Sequence, residues 1–199
     1  MADADALDAI TLMVDETAQL HLILDATADL RTGGRRTRIA LEFVNVGGTG
    51  SIESTAAEEA VTEIAAESGL IGPGLFDHSR DFTPLPALHL GVSVVRRPAP
   101  GVATLLGGGW IASGAPAADR LPTIAHPPGL AFAPQEAAGE VQTHVLGPAD
   151  DDLRLGDTVW LRPARAGEPA EHFGAYVLVQ GEESTGSLPT YRGEGAAFL

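Results

Sequence analysis

The chain has 199 residues, 44% of them hydrophobic, which suits a buried core and one domain or a little more, not a disordered segment. A formal charge of −15 excludes the usual basis for nucleic-acid or anionic-membrane binding, because both partners need clustered cations. There is no cysteine, so no disulfide, thiolate metal site or thiol nucleophile is available.

All twelve basic side chains are arginine, from Arg31 to Arg192. Without lysine, the chain can form no side-chain Schiff base and no P-loop. No apolar run approaches the roughly 20 residues of a membrane span, and the opening MADADALDAI is acidic, unlike a targeting peptide. A soluble, cytoplasmic protein is expected.

In chain order, residues 1–30 are acidic. Ile10, Met13, Thr17, Leu20 and Leu24 share one helical face, although LHLIL (20–24) also alternates as a strand would. IALEFVNV (39–46) is nearly continuously apolar, the pattern of a strand covered on both faces in an α/β sheet or barrel. Thr55 with Glu58 makes a capping-box pattern, and AAEEAVTEIAAE predicts a helix to Glu67, closed at Ser68 and Gly69.

Between that strand and that helix lies VNVGGTGSIEST (44–55). Such a junction can aim bare N–H groups and the positive end of a dipole at a phosphate, with Gly47, Gly48 and Gly50 admitting close approach and Thr49 and Ser51 supplying hydroxyls. It can equally be a plain turn. It is neither GxxxxGK[ST] nor GxGxxG.

Beyond Gly69 the texture changes to short strand candidates between glycine and proline turns: 88–95, 102–106, 139–145, 157–162 and 175–179. Regular spacing of this kind predicts an antiparallel sandwich or barrel, and RLPTIAHPPG (120–129) reads as a loop. The boundary is expected near residue 70, with a partial α/β segment over 1–69 and a β domain over 70–199.

The six histidines (21, 78, 89, 126, 144, 172) show no paired metal-ligand spacing. His172 beside Glu168 and Glu171 could meet a ligand, though a polar strand edge is the plainer expectation. Asp150, Asp151 and Asp152 read as a solvated turn. Gly107 to Gly109 before Trp110 suit a bulge with a packed indole better than a ligand approach. Ser113 lacks a His–acid signature, and there is no GxSxG elbow, so no catalytic set stands on its own.

Six motifs occur in order: LEFVNVGGTGSIEST, TEIAAESGLIGPGLFD, VVRRPAPGVATLLGGGWIASG, GEVQTHV, LGDTVWLRPARAGEPAEHF and PTYRGEG. Together, from about Leu41 to Leu199, they resemble the second half of bacterial amino-acid deaminases related to D-threonine aldolase and D-serine dehydratase. The resemblance implies a fold-type III pyridoxal-phosphate lyase. Its fold would be α+β and mostly β: the remnant of an alanine-racemase-like (β/α)8 barrel followed by an antiparallel β domain. It places the cofactor-phosphate role on Gly47, Gly48, Thr49, Gly50 and Ser51.

Two departures qualify this. The family's Schiff-base lysine belongs to an early barrel strand, and residues 1–40 do not match the family. In the relatives' metal-ligand segment stand Pro163 and Arg165, neither of which binds a divalent cation, so no metal is expected there.

The reading that results is a truncated or split C-terminal part of such an enzyme, supplying the phosphate loop and one active-site wall and inactive alone. Its expected partners are a missing barrel half or a homodimer mate, and a small amino-acid substrate once assembled. The alternative is a non-catalytic β module for assembly or anion binding.

Overall fold

The computed structural model describes residues 47–108, 111–115, 117–148 and 152–195. The amphipathic stretch around 10–24, the strand expected at 39–46, Gly109, Trp110, Asp150 and Asp151 lie outside them.

The architecture is mostly β. Among the described residues, eight strands follow two short helices: β1 (Leu90–Ala99), β2 (Val102–Leu106), β3 (Thr123–His126), β4 (Ala131–Phe132), β5 (Gln142–Leu146), β6 (Thr158–Arg162), β7 (Ala175–Gln180) and β8 (Glu183–Pro189). The first six form one antiparallel sheet in the order β3-β6-β1-β2-β5-β4, while β7 and β8 form a separate hairpin.

The sheet cannot be flat. Its outermost strands are β3 and β4, which are joined only by residues 127–130. A flat six-stranded sheet would hold its outer strands about 24 Å apart, whereas that link reaches at most about 18 Å. The sheet therefore rolls into a nearly closed antiparallel barrel, as the short-strand pattern predicts.

Alternation fills the barrel. Leu90, Val92 and Val94 of β1 point inward while Gly91 and Ser93 face out. Register then sets Leu90 against Leu161, Val92 against Val159 and Ala103 against Val145. Ile124, Leu130 and Phe132 pack on the same cluster from the two outer strands and their link. Each fully buried aliphatic side chain contributes about 1.5–3 kcal/mol of burial.

All five strand candidates in the β region are present; 102–106 keeps its bounds and the other four shift at one end or both. Three strands were not expected. Thr123–His126, read as part of a loop, is an outer strand with mainly exposed residues, the setting in which flanking prolines are tolerated. Two-residue β4 is too short for any periodicity. Glu183–Pro189 is exposed throughout and has Leu188 as its one large apolar residue, so it carries no apolar alternation and is a strand only through its pairing with β7.

The helix expected from Thr55 to Glu67 is corrected. Helix α1 covers only Ile52–Ala56, turns and irregular chain follow, and Ser68 with Gly69 begins helix α2 (Ser68–Ile71) instead of ending one. Two causes are visible in the segment. Glu59, Glu63 and Glu67 repel at i,i+4 spacing with no cation among them, and Val61 and Ile64 are its only large apolar residues.

Segment 68–77 is fastened to the barrel by polar contacts. Gly74 and Leu75 donate backbone hydrogen bonds to Pro163 and Ala164 at 3.0 Å each. Arg162 donates to the Gly72 carbonyl at 2.9 Å and makes a two-pronged contact with Asp77 at 3.0 and 2.7 Å. That forked geometry is the strong form of such a pair.

Candidate functional site

The glycine turn leads into a single turn of 3-10 helix, Thr49–Ser51, which runs on into α1. Gly47 adopts φ +81°, a left-handed conformation that favours glycine, and a Cβ there would collide with the hydroxyls of Thr55 and Ser51. Those hydroxyls knit the turn. Ser51 Oγ accepts from the Gly48 N–H and from Thr55 Oγ1, both at 3.2 Å, and the Ser51 N–H reaches the Gly48 carbonyl at 3.0 Å.

Thr49 is buried, with its side chain lying against Gly69, and Gly50 sits under the Phe76 ring. The expected donors thus divide by role. The Ser51 side chain ties the turn to Gly48 and Thr55, the Thr49 side chain packs inward, and the start of the 3-10 turn leaves amide N–H groups without an acceptor inside it.

Gly50 and Ser51 line a cavity of about 330 Å³ whose other walls include Ser54, His78 and Arg80. Backbone amides, a serine hydroxyl and one guanidinium are a donor set that suits a phosphate. Glu53 and Asp81 on the same rim oppose the anion, so the cradle must rely on directed hydrogen bonds more than on net charge.

Across the 74–76 turn lies a second polar group. The turn Ala118–Arg120 packs against Gly74–Phe76, and helix α3 (Gly167–His172) follows the 163–164 backbone that pairs with residues 74 and 75. Here Ser113 is held on all three of its polar groups. Its N–H donates to Glu168 Oε1 at 3.1 Å, its carbonyl accepts from Arg120 at 3.3 Å, and its Oγ accepts from Arg165 at 3.2 Å.

His172 and Glu168 belong to a helix, not to the polar strand edge expected of them; the GEPAEH run forms it with Pro169 and Ala170 buried. Tyr191 donates to the Gly167 carbonyl at 2.9 Å at its start. Loss of solvation, then Glu171 and Glu168, raise the Tyr191 pKa above its ordinary value.

Sequence patterns mark Ser113 only as a possible nucleophile and Arg165 only as a departure from a metal motif. The meeting of Ser113 with these side chains had no local signal, since 52 and 55 residues separate it from Arg165 and Glu168. His144 is likewise not isolated but lies 2.6 Å from Glu136. Gly107 and Gly108 both have positive φ at the end of β2, where the Gly107 carbonyl accepts from Thr143 at 2.6 Å, so these two serve a tight backbone approach.

Among the described residues no group of three or more His, Asp or Glu side chains is arranged to hold a metal ion. Nor is any described helix long and apolar enough to cross a membrane.

The fold is shared with part of a solved structure. The crystal structure of D-threonine aldolase from Filomicrobium marinum superposes with a TM-score of 0.65 at 19% identity, covering 87% of this chain and 46% of that one. The chain thus spans about half the length of that protein, and the likeness establishes the shared fold. No protein-family model matches the chain, and no curated protein does.

Proposed function

We propose that this chain is the C-terminal part of a pyridoxal-phosphate-dependent, fold-type III amino-acid lyase of the deaminase and D-threonine aldolase kind, acting in the cytoplasm. Its own contribution is the loop Gly47, Gly48, Thr49, Gly50 and Ser51, which holds the cofactor phosphate. The observation that carries the reading is the turn itself: Gly47 in a left-handed conformation open to glycine, a hydroxyl-knit turn, and Gly50 and Ser51 opening onto a cavity faced by Arg80.

When bound, pyridoxal phosphate would act as an electron sink for bond breaking at Cα of an amino acid. The work of this chain is binding and orientation. Amides at the start of the turn face the phosphate, the Ser51 and Ser54 hydroxyls brace the turn from within, the Gly47 conformation fixes its direction, and Arg162 with Asp77 keeps the loop's support docked on the barrel.

The amine that anchors the cofactor must come from outside these 199 residues, because they include no lysine. A barrel half or a second subunit is the natural source. The hairpin β7–β8 speaks for assembly as well, since Val177, Val179 and Leu188 stand exposed on it. A β module for assembly or anion binding alone is the second reading.

Titration of the full chain with pyridoxal phosphate, pyridoxal and inorganic phosphate tests the proposal. Pyridoxal phosphate should bind at least about tenfold more tightly than pyridoxal, a single charge-assisted contact of ~1.4 kcal/mol being enough for that ratio. Inorganic phosphate should compete. Equal binding of the phosphorylated and unphosphorylated forms would sink the cradle.

A further inference from the structure

The two edges of the β7–β8 hairpin are built differently. Strand β8 carries Glu183 at one end and Pro189 at the other, with Gly186 at φ +154° between them. Charge, proline and glycine are the usual means of blunting a sheet edge. Strand β7, AYVLVQ, has none of the three. Among the described residues β7 pairs with β8 and with no other strand, so its second edge presents a row of backbone N–H and C=O groups.

That edge borders an open cavity of about 890 Å³, walled on the barrel side by residues 88–91 and Trp160. Ala175 to Val179 line it consecutively. A strand showing the cavity one of its faces would contribute alternate residues, so it is the edge that looks in. The surface is apolar and open, with Val177 66%, Val179 65% and Trp160 44% exposed. No Asp, Glu or Arg lines it, in a chain that is 20% charged.

Charge decides the occupant. A basic partner would be steered to carboxylates, and this face has none to offer. A second copy carries the same charge of −15, and like-charged molecules can meet only where carboxylates do not oppose each other. An isolated two-stranded hairpin is also marginal in water, and further strands are what it lacks.

We propose that β7 pairs antiparallel with β7 of a second copy, about a twofold axis at Val177, to make a four-stranded sheet in the order β8-β7-β7-β8. This register sets Val177 against its own counterpart, Ala175 against Val179 and Tyr176 against Leu178, and leaves Gln180 outside. All five apolar residues are then matched, with Ala175, Val177 and Val179 on one face and Tyr176 and Leu178 on the other. A twofold contact closes on itself, so the unprotected edge is used up and recruits no further strands. The inference rests on the hairpin and its cavity, shares no residue with the phosphate loop and stands without it.

The chain has no cysteine, so one introduced thiol reports contact between copies. In Val177→Cys the two thiols face each other across the axis at the ~5 Å Cβ separation of directly opposed residues, and mild oxidation should trap a covalent dimer. Ser187 stands opposite Val177 on β8. In Ser187→Cys the thiols lie three strand spacings apart, about 14 Å, and should not join. Both positions are exposed, so neither substitution disturbs the core.

Sedimentation of the unaltered full chain should show dimers at micromolar concentration. Val179→Glu, which sets like charges into the uncharged seam, should weaken them at least about tenfold while the barrel amide signals persist. A chain that stays monomeric up to about 100 µM, a dimer that Val177→Cys does not trap, or equal trapping of both cysteine variants would overturn the proposal. The cysteine pair discriminates even where Val179→Glu folds poorly. Pairing through β7 in a chain that binds pyridoxal and its phosphate equally keeps this interface and loses the cradle; a monomer that prefers the phosphate does the reverse.

Discussion

The barrel and the glycine-turn segment are built on different principles. The barrel strands β1, β2, β5 and β6 share a dry interior in which Ala103, Leu105, Val145, Val159 and Leu161 are completely buried. Residues 47–77 bury little of that kind. They are held by a hydroxyl knot around Ser51, by two backbone bonds to 163–164 and by the Arg162–Asp77 fork. Non-directional burial tolerates local change and resists global unfolding, whereas directed bonds around a left-handed glycine fix a shape at low stability. A scaffold of the first kind carrying a loop of the second is what precise ligand binding calls for.

The largest effect separating the two regions is expected from the core. Leu161→Ala should cost about 3 kcal/mol, seen as a lowered midpoint in denaturant unfolding of the whole domain. If only residues 47–77 lost protection, the assignment of that side chain to the shared core would be wrong.

Next comes Gly47→Ala, at about 2 kcal/mol from the positive φ and the displaced Ser51 and Thr55 hydroxyls. Its loss should appear as faster amide exchange over 47–56 with the barrel unaffected. Gly48→Ala is the control. Gly48 is extended at φ −173°, and an added Cβ would meet nothing closer than the Ala65 carbonyl at 3.6 Å. Its stability should stay within about 0.5 kcal/mol of the parent. Comparable damage from both substitutions would refute the special role of position 47.

Arg162→Leu, at about 1.5–2 kcal/mol, should loosen segment 68–77 and leave the barrel folded, because Arg162 is the side chain that bonds both Gly72 and Asp77. Limited proteolysis within 68–88 reads this directly.

The smallest effect concerns His89, whose pKa is lowered from 6.5 by loss of solvation and by the positive charge of Arg162. The unfolded chain therefore takes up a proton that the folded chain resists, so stability is full at neutral pH and declines as pH falls below about 6.5. His89→Gln should flatten that part of the melting temperature against pH profile. An unchanged acid limb would show that His89 does not set it.

The β region was readable because its strands obey a local rule. In LHLGVSVV the buried Leu90, Val92 and Val94 alternate with smaller or polar neighbours, and turns at glycine and proline separate one strand from the next. What failed did so where the deciding partner is distant. The ESTGSLP strand has no pattern of its own, and the AAEEAVTEIAAE helix has strong propensity but no apolar face to anchor it and repelling glutamates along it.

The sequence alone determined the chain's polarity balance, the absence of a lysine amine, the strand periodicity of the β region and the glycine turn leading into a helix start over 47–56, because each is a property of residues near one another in the chain. Only the tertiary structure decided that Thr49 turns inward while Gly50 and Ser51 open onto a cavity. It alone brought Arg120, Arg165 and Glu168 onto the three polar groups of Ser113. Side chains some fifty residues apart meet through the rolling of the sheet and the docking of 74–75 on 163–164, and no local periodicity encodes that meeting.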